Sequence, residues 1–336
     1  MKKIIGLVLS VALILSFGIA GAAETINGAG SSFAYPIYSA WAYDYQKVTG
    51  VRLNYQSIGS GGGIRQITER TVDFGASDLP LSPAELKKDG LIQFPAVIGG
   101  VVPIVNVPGV KPDQMRLDSQ TMCRIYLGEL KYWDDPQLRA LNPAMNLPHK
   151  EITVVHRSDG SGTTAIFTNY LDQTCPEWKK KVGTGVSVKW PVGIGGKGSE
   201  GVTNYVRRAG YSVGYVEFAY AQQNRLSYTQ LKNPAGHFVS PNFLTFENAA
   251  NTADFEAKND FDLMMTNAKG ANAWPIAGGT FVLLARDKKD ASMKTVKFYD
   301  WAFKNGDNKA KELIYVPLPA SLKNKIRAYW KANGIY

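Results

Sequence analysis

The sequence predicts an α/β protein of two lobes with a ligand cleft between them. Three observations carry this reading. Short apolar strands alternate with amphipathic helices along most of the chain, the pattern of parallel α/β layers. Three strands run into Gly/Ser turns that each start a helix, at Ser32, Ser60 and Ser161–Thr163. Two long apolar runs, Leu91 to Val107 and Ala273 to Leu284, read as buried strands crossing between lobes rather than surface loops. The expected division is a leader over residues 1–23, a first lobe over 24–100 and 276–336, and a second lobe over 101–275.

The leader is read from its composition. Met1-Lys2-Lys3 is a short basic start, Ile4 to Ala20 is apolar, and Ala20-Gly21-Ala22-Ala23 offers small residues for cleavage after Ala22 or Ala23. The run is short for a membrane span, no stop-transfer pattern follows, and no Cys stands at the cleavage position to take a lipid. The mature chain is therefore expected to be exported and soluble. The formal charge of +10 includes Lys2 and Lys3. That surplus steers anions modestly, and it is equally what a solvated exported surface carries. No dense Lys/Arg tract with interleaved aromatics argues for nucleic acid. Cys123 and Cys175 are the only cysteines. An oxidising compartment permits a bridge between them, and sequence leaves that pairing open. Two thiols and three histidines do not give a zinc site of ordinary spacing.

Taken in order, Thr25 to Phe33 reads as a strand feeding a Gly-rich turn. Ile37, Trp41, Tyr45 and Val48 then mark a helix that ends near Gly50, with Pro36 at its start. Val51 to Tyr55 alternates as a strand, and Gly59-Ser60-Gly61-Gly62-Gly63 opens onto the helical spacing of Ile64, Ile67 and Thr68. That turn lacks the Lys-Ser/Thr of a nucleotide loop, which sets ATP and GTP aside. Val72 to Asp78 is a strand ending in a carboxylate; taken singly, Asp78 reads as a cap for Pro83–Leu86. A helix is expected over 120–135 with an exposed Lys-Tyr-Trp-Asp-Asp end. Trp190 to Gly198 mimics a dinucleotide fingerprint before the helical Val202-Tyr205-Val206, but no acidic ribose partner follows at the required distance. Lys232 to Asn251 gives no regular signal. Two helices close the chain, the last carrying Leu322, Ile326 and Trp330.

The centre of the chain is Val155 to Thr164, a strand end followed by Arg157, Asp159, Ser161, Gly162 and Thr163 and then the helical stripe of Phe167, Tyr170 and Leu171. A helix start presents N–H groups without intrahelical partners and the positive end of the dipole, which suits an anion. Arg157 adds a fixed guanidinium fork, and Asp159 is placed to hold it. Ser, Thr, Asp and Gly before a helix are also ordinary caps. Independent capping explains each turn singly but not three of them beside Arg157 and Asp78. In open α/β sheets such turns sit at the ligand end of the strands.

Five runs carry a closer resemblance: Gly28 to Phe33, Ile58 to Gly62, Asp73 to Asp78, Arg157 to Thr163, and Val188 to Pro191. With them the chain resembles the periplasmic phosphate-binding proteins of bacterial phosphate ABC transporters, from about Ile26 to the C-terminus. The resemblance implies a two-lobed, type II-like periplasmic binding protein with two crossover hinge strands. It implies a monomer in the periplasm, with inorganic phosphate and membrane permease subunits as partners, no cofactor or metal, and no enzymatic activity. By position, phosphate contacts are expected from Ser32, the Phe33 N–H, Ser60 and Asp78 in the first lobe. Arg157, Ser161, the Gly162 N–H and Thr163 supply them from the second, with Asp159 pairing Arg157. Ser32 stands where relatives carry Thr, and Gly61 replaces a second Ser. Two rivals remain to be weighed: a receptor for another tetrahedral oxyanion such as sulfate or molybdate, and an exported hydrolase using Ser161 with His156 or His149. The run around Ser161 is not a nucleophile elbow, and no nucleophile–base–orienter set is visible.

Overall fold

The computed structural model describes residues 24–336. The expected leader and its cleavage after Ala22 or Ala23 lie outside these residues. The first part of the chain runs β1 (Thr25–Gly30), α1 (Tyr35–Thr49), β2 (Arg52–Ser57), α2 (Ser60–Thr68), β3 (Phe74–Ser77), α3 (Pro83–Asp89) and β4 (Leu91–Asn106). β1 lies between β2 and β3 and is parallel to both. α1 carries Pro in its first turn and stops at Gly50, whose φ of 76° a side chain would resist. It buries Ile37, Tyr38, Trp41 and Tyr45. Val48, the expected next member of that stripe, is exposed instead.

The 16 residues of β4 hold the two lobes together. Leu91 to Gly100 pairs antiparallel with the late strand Ala277–Ala285, which in turn lies against β3. Val101 to Asn106 pairs antiparallel with Ser212–Glu217, the inner strand of the second lobe. That strand is parallel to Thr153–Arg157, which is parallel to the edge strand Ile194–Gly196. The expected parallel layers are thus present in each lobe, and the antiparallel pairings come from the crossing strands. Pro95 sits where the register shifts, at Thr280/Phe281, so its missing N–H falls on a ladder irregularity. The return crossing lies directly beside β4. Val101 donates its N–H to the Ile276 carbonyl at 2.9 Å, and the Trp274 indole donates to the Val101 carbonyl at 2.9 Å.

Four local expectations need revision. The helix expected over 120–135 covers only Ser119–Tyr126, because Gly128 at φ 74° turns the chain away. Trp133 is buried, with its indole donating to the Tyr211 carbonyl at 2.9 Å. The stretch from Lys232 to Asn251 contains a helix, Phe243–Ala250, started by a capping box between Asn242 and Thr245. Three helices rather than two close the chain, at Lys289–Asn305, Asp307–Glu312 and Ala320–Ala332. Leu322, Ile326 and Trp330 are buried on the last of them. In addition, residues 255–261, counted with the second lobe from sequence, pack on the first. Phe261 meets Tyr329 edge-on at 5.2 Å, and Gln93 donates to the Asp260 carbonyl at 3.0 Å.

Cys123 and Cys175 are joined in a disulfide with a sequence separation of 52. It ties Ser119–Tyr126 to the C-terminal end of the helix Gly162–Thr174. Replacing both cysteines with Ala is expected to lower stability by roughly 2–4 kcal/mol, since a loop of this size is released in the unfolded chain. The urea midpoint of the variant against the wild type measures this.

Candidate ligand-binding cleft

The first lobe supplies one wall of the cleft through turns at the ends of its strands. β1 ends at Gly30 with φ 139°, where an added Cβ would lie 2.1 Å from the Ala76 carbonyl oxygen. Only glycine lets this turn lie flat against β3. Ser31 then donates its N–H to the Ala76 carbonyl at 2.9 Å. Its hydroxyl accepts the Ala34 N–H at 3.2 Å and donates to Asp78 Oδ1 at 2.5 Å. Ser32 and Phe33 follow, both buried. No side chain caps α1 or α2. Ser60, the first residue of α2, accepts the Asp78 N–H at 3.1 Å and the Gly162 N–H at 3.0 Å. One donor comes from each lobe, and the hydrogen of the Ser60 hydroxyl is left to give.

Asp78 lies just past β3 and is buried. It does not cap α3, as its sequence position alone suggests. Ser82 does that, in a capping box with Glu85. Besides Ser31, Thr280 donates to Asp78 Oδ1 at 2.7 Å.

The second lobe supplies the facing wall from the end of the strand Thr153–Arg157 and the start of the helix Gly162–Thr174. The Arg157 side chain is 1% exposed and grips Asp159 with two hydrogen bonds, Nε to Oδ1 at 2.8 Å and Nη2 to Oδ2 at 2.6 Å. Nη1 has only long contacts, 3.4 Å to Thr163 Oγ1 and 3.5 Å to Ser199 Oγ. Ser161 is the helix cap and accepts the Thr164 N–H at 3.0 Å. Gly162 must be glycine, because a Cβ there would lie 2.4 Å from Ser60 Oγ and 2.6 Å from the Asp78 backbone nitrogen. The two walls also meet at Gly61, which donates its N–H to the Gly160 carbonyl at 2.9 Å. A side chain at Gly61 would press on Gly160, which accounts for glycine where a second Ser was expected.

The nine residues named from sequence lie at the strand ends and helix starts where the two lobes meet. The same reading missed Ser199. The helix Gly198–Arg208 begins at the cleft, and Ser199 meets Ser32 twice, Oγ to Oγ at 3.0 Å and N–H to Ser32 Oγ at 3.2 Å. Gly198 donates its N–H to Asp159 Oδ1 at 3.0 Å. The signal was present as Gly-Gly-Lys-Gly-Ser before a helical stripe, but it was weighed only against a dinucleotide template. Thr280 and Tyr215 were missed for a different reason, since they reach the site from distant strands. Tyr215 supports it from behind, its hydroxyl 2.6 Å from Thr164 Oγ1. His156 stacks on Trp190 at 4.7 Å, and His149 lies at the surface beside Asp134. Neither histidine is hydrogen-bonded to Ser161, and among the described residues no group of His, Cys, Asp or Glu could hold a metal ion.

The charges are set by burial and by their partners. Burial pushes the Asp78 carboxyl up to about 6, against the pull of Ser31, Thr280, Arg157 and Ser60. Burial also works against charge at Asp159, but the Arg157 guanidinium and the Gly198 N–H more than offset it and hold that carboxyl below its usual range. Arg157 loses solvent too, and Asp159 keeps it firmly cationic. A carboxyl whose folded pKa is raised binds more protons when folded, so its ionisation makes the fold less stable as pH rises through the window from 3.8 to about 6. Asp78→Asn is therefore expected to gain on the wild type, without ligand, by roughly 2–4 kcal/mol between about pH 4 and about pH 8. Urea midpoints of both proteins at the two pH values test it.

The chain is similar to known proteins over most of its length. Residues 17–305 match the PBP superfamily domain. The chain is 52% identical over 310 residues to the phosphate-binding protein PstS of Xylella fastidiosa, covering 92% of this chain and 85% of that protein. To the phosphate-binding protein PstS of Haemophilus influenzae it is 51% identical over 313 residues, covering 93% and 94%. The phosphate-binding protein from Stenotrophomonas maltophilia has the same fold, with a TM-score of 0.70 at 21% identity over 91% of this chain and 94% of that one. The chain belongs to the PstS family within the PBP superfamily.

Proposed function

We propose that this member of the PstS family binds inorganic phosphate reversibly between its lobes and delivers it to an ABC importer. It is a binding protein and not an enzyme. One observation carries the reading: a buried carboxylate, Asp78, lies within electrostatic reach of the buried Arg157, and Ser60 ties its turn to a helix start of the other lobe. Phosphate near neutral pH still carries a hydrogen, whereas sulfate carries none. Asp78 when ionised only accepts, so it receives that hydrogen and opposes an anion that has none to give. A mismatched buried polar contact costs roughly 1–3 kcal/mol, and more between charges, which supports discrimination of about a hundredfold.

The remaining groups disperse the ligand's charge. Asp159 occupies Nε and Nη2 of Arg157, which turns Nη1 to the ligand. Ser32, Ser60, Ser161 and Thr163 contribute hydroxyls, and Phe33 contributes its backbone N–H. The Gly162 N–H is given to Ser60 Oγ and acts on the ligand by aiming that hydroxyl. Reading the hydrogen needs Asp78 ionised, so affinity declines as the medium is acidified through about 6. The chain works as a monomer in the periplasm, exported by residues 1–23, with the importer's membrane permease subunits as its docking partners. No helix among the described residues is long and apolar enough to cross a membrane.

Competitive calorimetry of phosphate against sulfate and arsenate tests the assignment. Asp78→Asn is expected to lose most of the phosphate-over-sulfate preference; an unchanged ratio removes the hydrogen-reading role. Arg157→Ala is expected to weaken phosphate by about a hundredfold, the scale of losing a buried charge-assisted contact. An unchanged dissociation constant takes Arg157 out of the site.

A further inference from the structure

Asp78 is held by two hydroxyls that reach it from opposite sides. Ser31 follows β1 and Thr280 lies on Ala277–Ala285, the strands that flank β3 in the sheet. Both hydroxyls donate to the same oxygen, Oδ1. For Ser31 the direction is fixed, because its oxygen already accepts the Ala34 N–H and its hydrogen must go elsewhere. Thr280 stands where the ladder with β4 slips register, next to Phe281. Its hydroxyl makes no other hydrogen bond among the described residues. Neither of these hydroxyls falls on Asp78 Oδ2, and the Ser60 hydroxyl is the remaining one that acts on the carboxyl.

We infer that Ser31 and Thr280 are positioning residues that fix Asp78 as an acceptor and so govern how strongly phosphate is preferred over anions with no hydrogen to give. This rests on the phosphate reading of the cleft and adds two residues to it. With Oδ1 saturated by two donors, the carboxyl plane is locked and Oδ2 is the oxygen that faces the ligand. A proton on Asp78 would have to sit on Oδ2, the place that the ligand's own hydrogen needs. The two hydroxyls thus hold the carboxyl ionised against burial.

The other groups acting on Asp78 are shared by any variant of these two. Arg157 attracts from the second lobe. The Asp78 charge in turn opposes ionisation of Glu217 on Ser212–Glu217, Tyr38 on α1, Tyr55 on β2 and Tyr315 before the last helix, so these groups stay protonated more readily beside it. A role confined to packing would lower stability or weaken binding equally at every pH. A positioning role moves the pH at which binding fails.

The experiment measures phosphate and sulfate dissociation constants by calorimetry from about pH 5 to about pH 8.5 for wild type, Thr280→Val, Thr280→Ser, Ser31→Ala and Asp78→Asn. Phosphate's own titration is common to all of them, so differences between the curves belong to the protein. In Thr280→Val the acid-side loss of affinity is expected to move up by about one pH unit, and the phosphate-to-sulfate ratio to fall by about tenfold. Thr280→Ser restores both, and Ser31→Ala shifts the curve in the same direction. Should Thr280→Val fold poorly, the comparison of Ser31→Ala with wild type carries the test. A Thr280→Val or Ser31→Ala curve that superimposes on wild type, or lies below it by a constant factor, overturns the inference alone. Failure of the wild type to bind phosphate, or an Asp78→Asn curve that keeps the wild-type shape and ratio, overturns the phosphate reading and this inference with it.

Discussion

Two charged groups are buried on facing walls of one cleft, and each depends on what the rest of the fold brings to it. Arg157 is secured by Asp159 two residues on, so the guanidinium is neutralised within its own lobe. Asp78 has no such partner close by. Three serine and threonine hydroxyls surround it, and the nearest compensating charge lies across the cleft. Removing an ion from water is unfavourable by several kcal/mol unless dipoles or a counter-charge replace the solvent. The architecture can be understood as the means of supplying those dipoles. β1, β3 and the late strand Ala277–Ala285 are neighbours in the sheet, so that Ser31 just past β1 and Thr280 within the late strand both reach one oxygen of the carboxyl that follows β3.

The same constraint explains why glycine recurs along the seam between lobes. At Gly30, Gly61 and Gly162 a single added carbon would press on backbone or on a site hydroxyl. Close approach lets one hydroxyl, Ser60, receive an N–H from each side. Ser60 is thereby tied to both lobes, with Ser32 and Ser199 forming a second junction.

Much of this was legible in the chain because the informative residues are local. A strand end, a Gly/Ser turn and a helical stripe fall within ten or so residues of one another at Ser32, Ser60 and Ser161–Thr163. The crossover strand was legible as well, since burial best explains a run of sixteen residues that are apolar or small except for Gln93, Asn106 and the two prolines, Pro95 and Pro103. What escaped was of two kinds. Thr280 and Tyr215 act on the site through strand pairing, and no spacing in sequence relates Thr280 to Asp78 or Tyr215 to Thr164. Ser199 and the helix Phe243–Ala250 were within reach of local reasoning. The first was hidden by a nucleotide-like pattern. The second was obscured because Leu244, its most apolar residue, faces outward while Thr245, Phe246 and Ala249 turn in.

The position of the late strand Ala277–Ala285 has a consequence for how the polypeptide is made. It separates β3 from β4, so the sheet of the first lobe lacks an interior member until nearly the whole chain exists. An emerging N-terminal half carries β2, β1, β3 and β4 but not the strand that joins β3 to β4, so that sheet stays incomplete. Such an order of assembly leaves the first lobe unfinished until synthesis is almost complete.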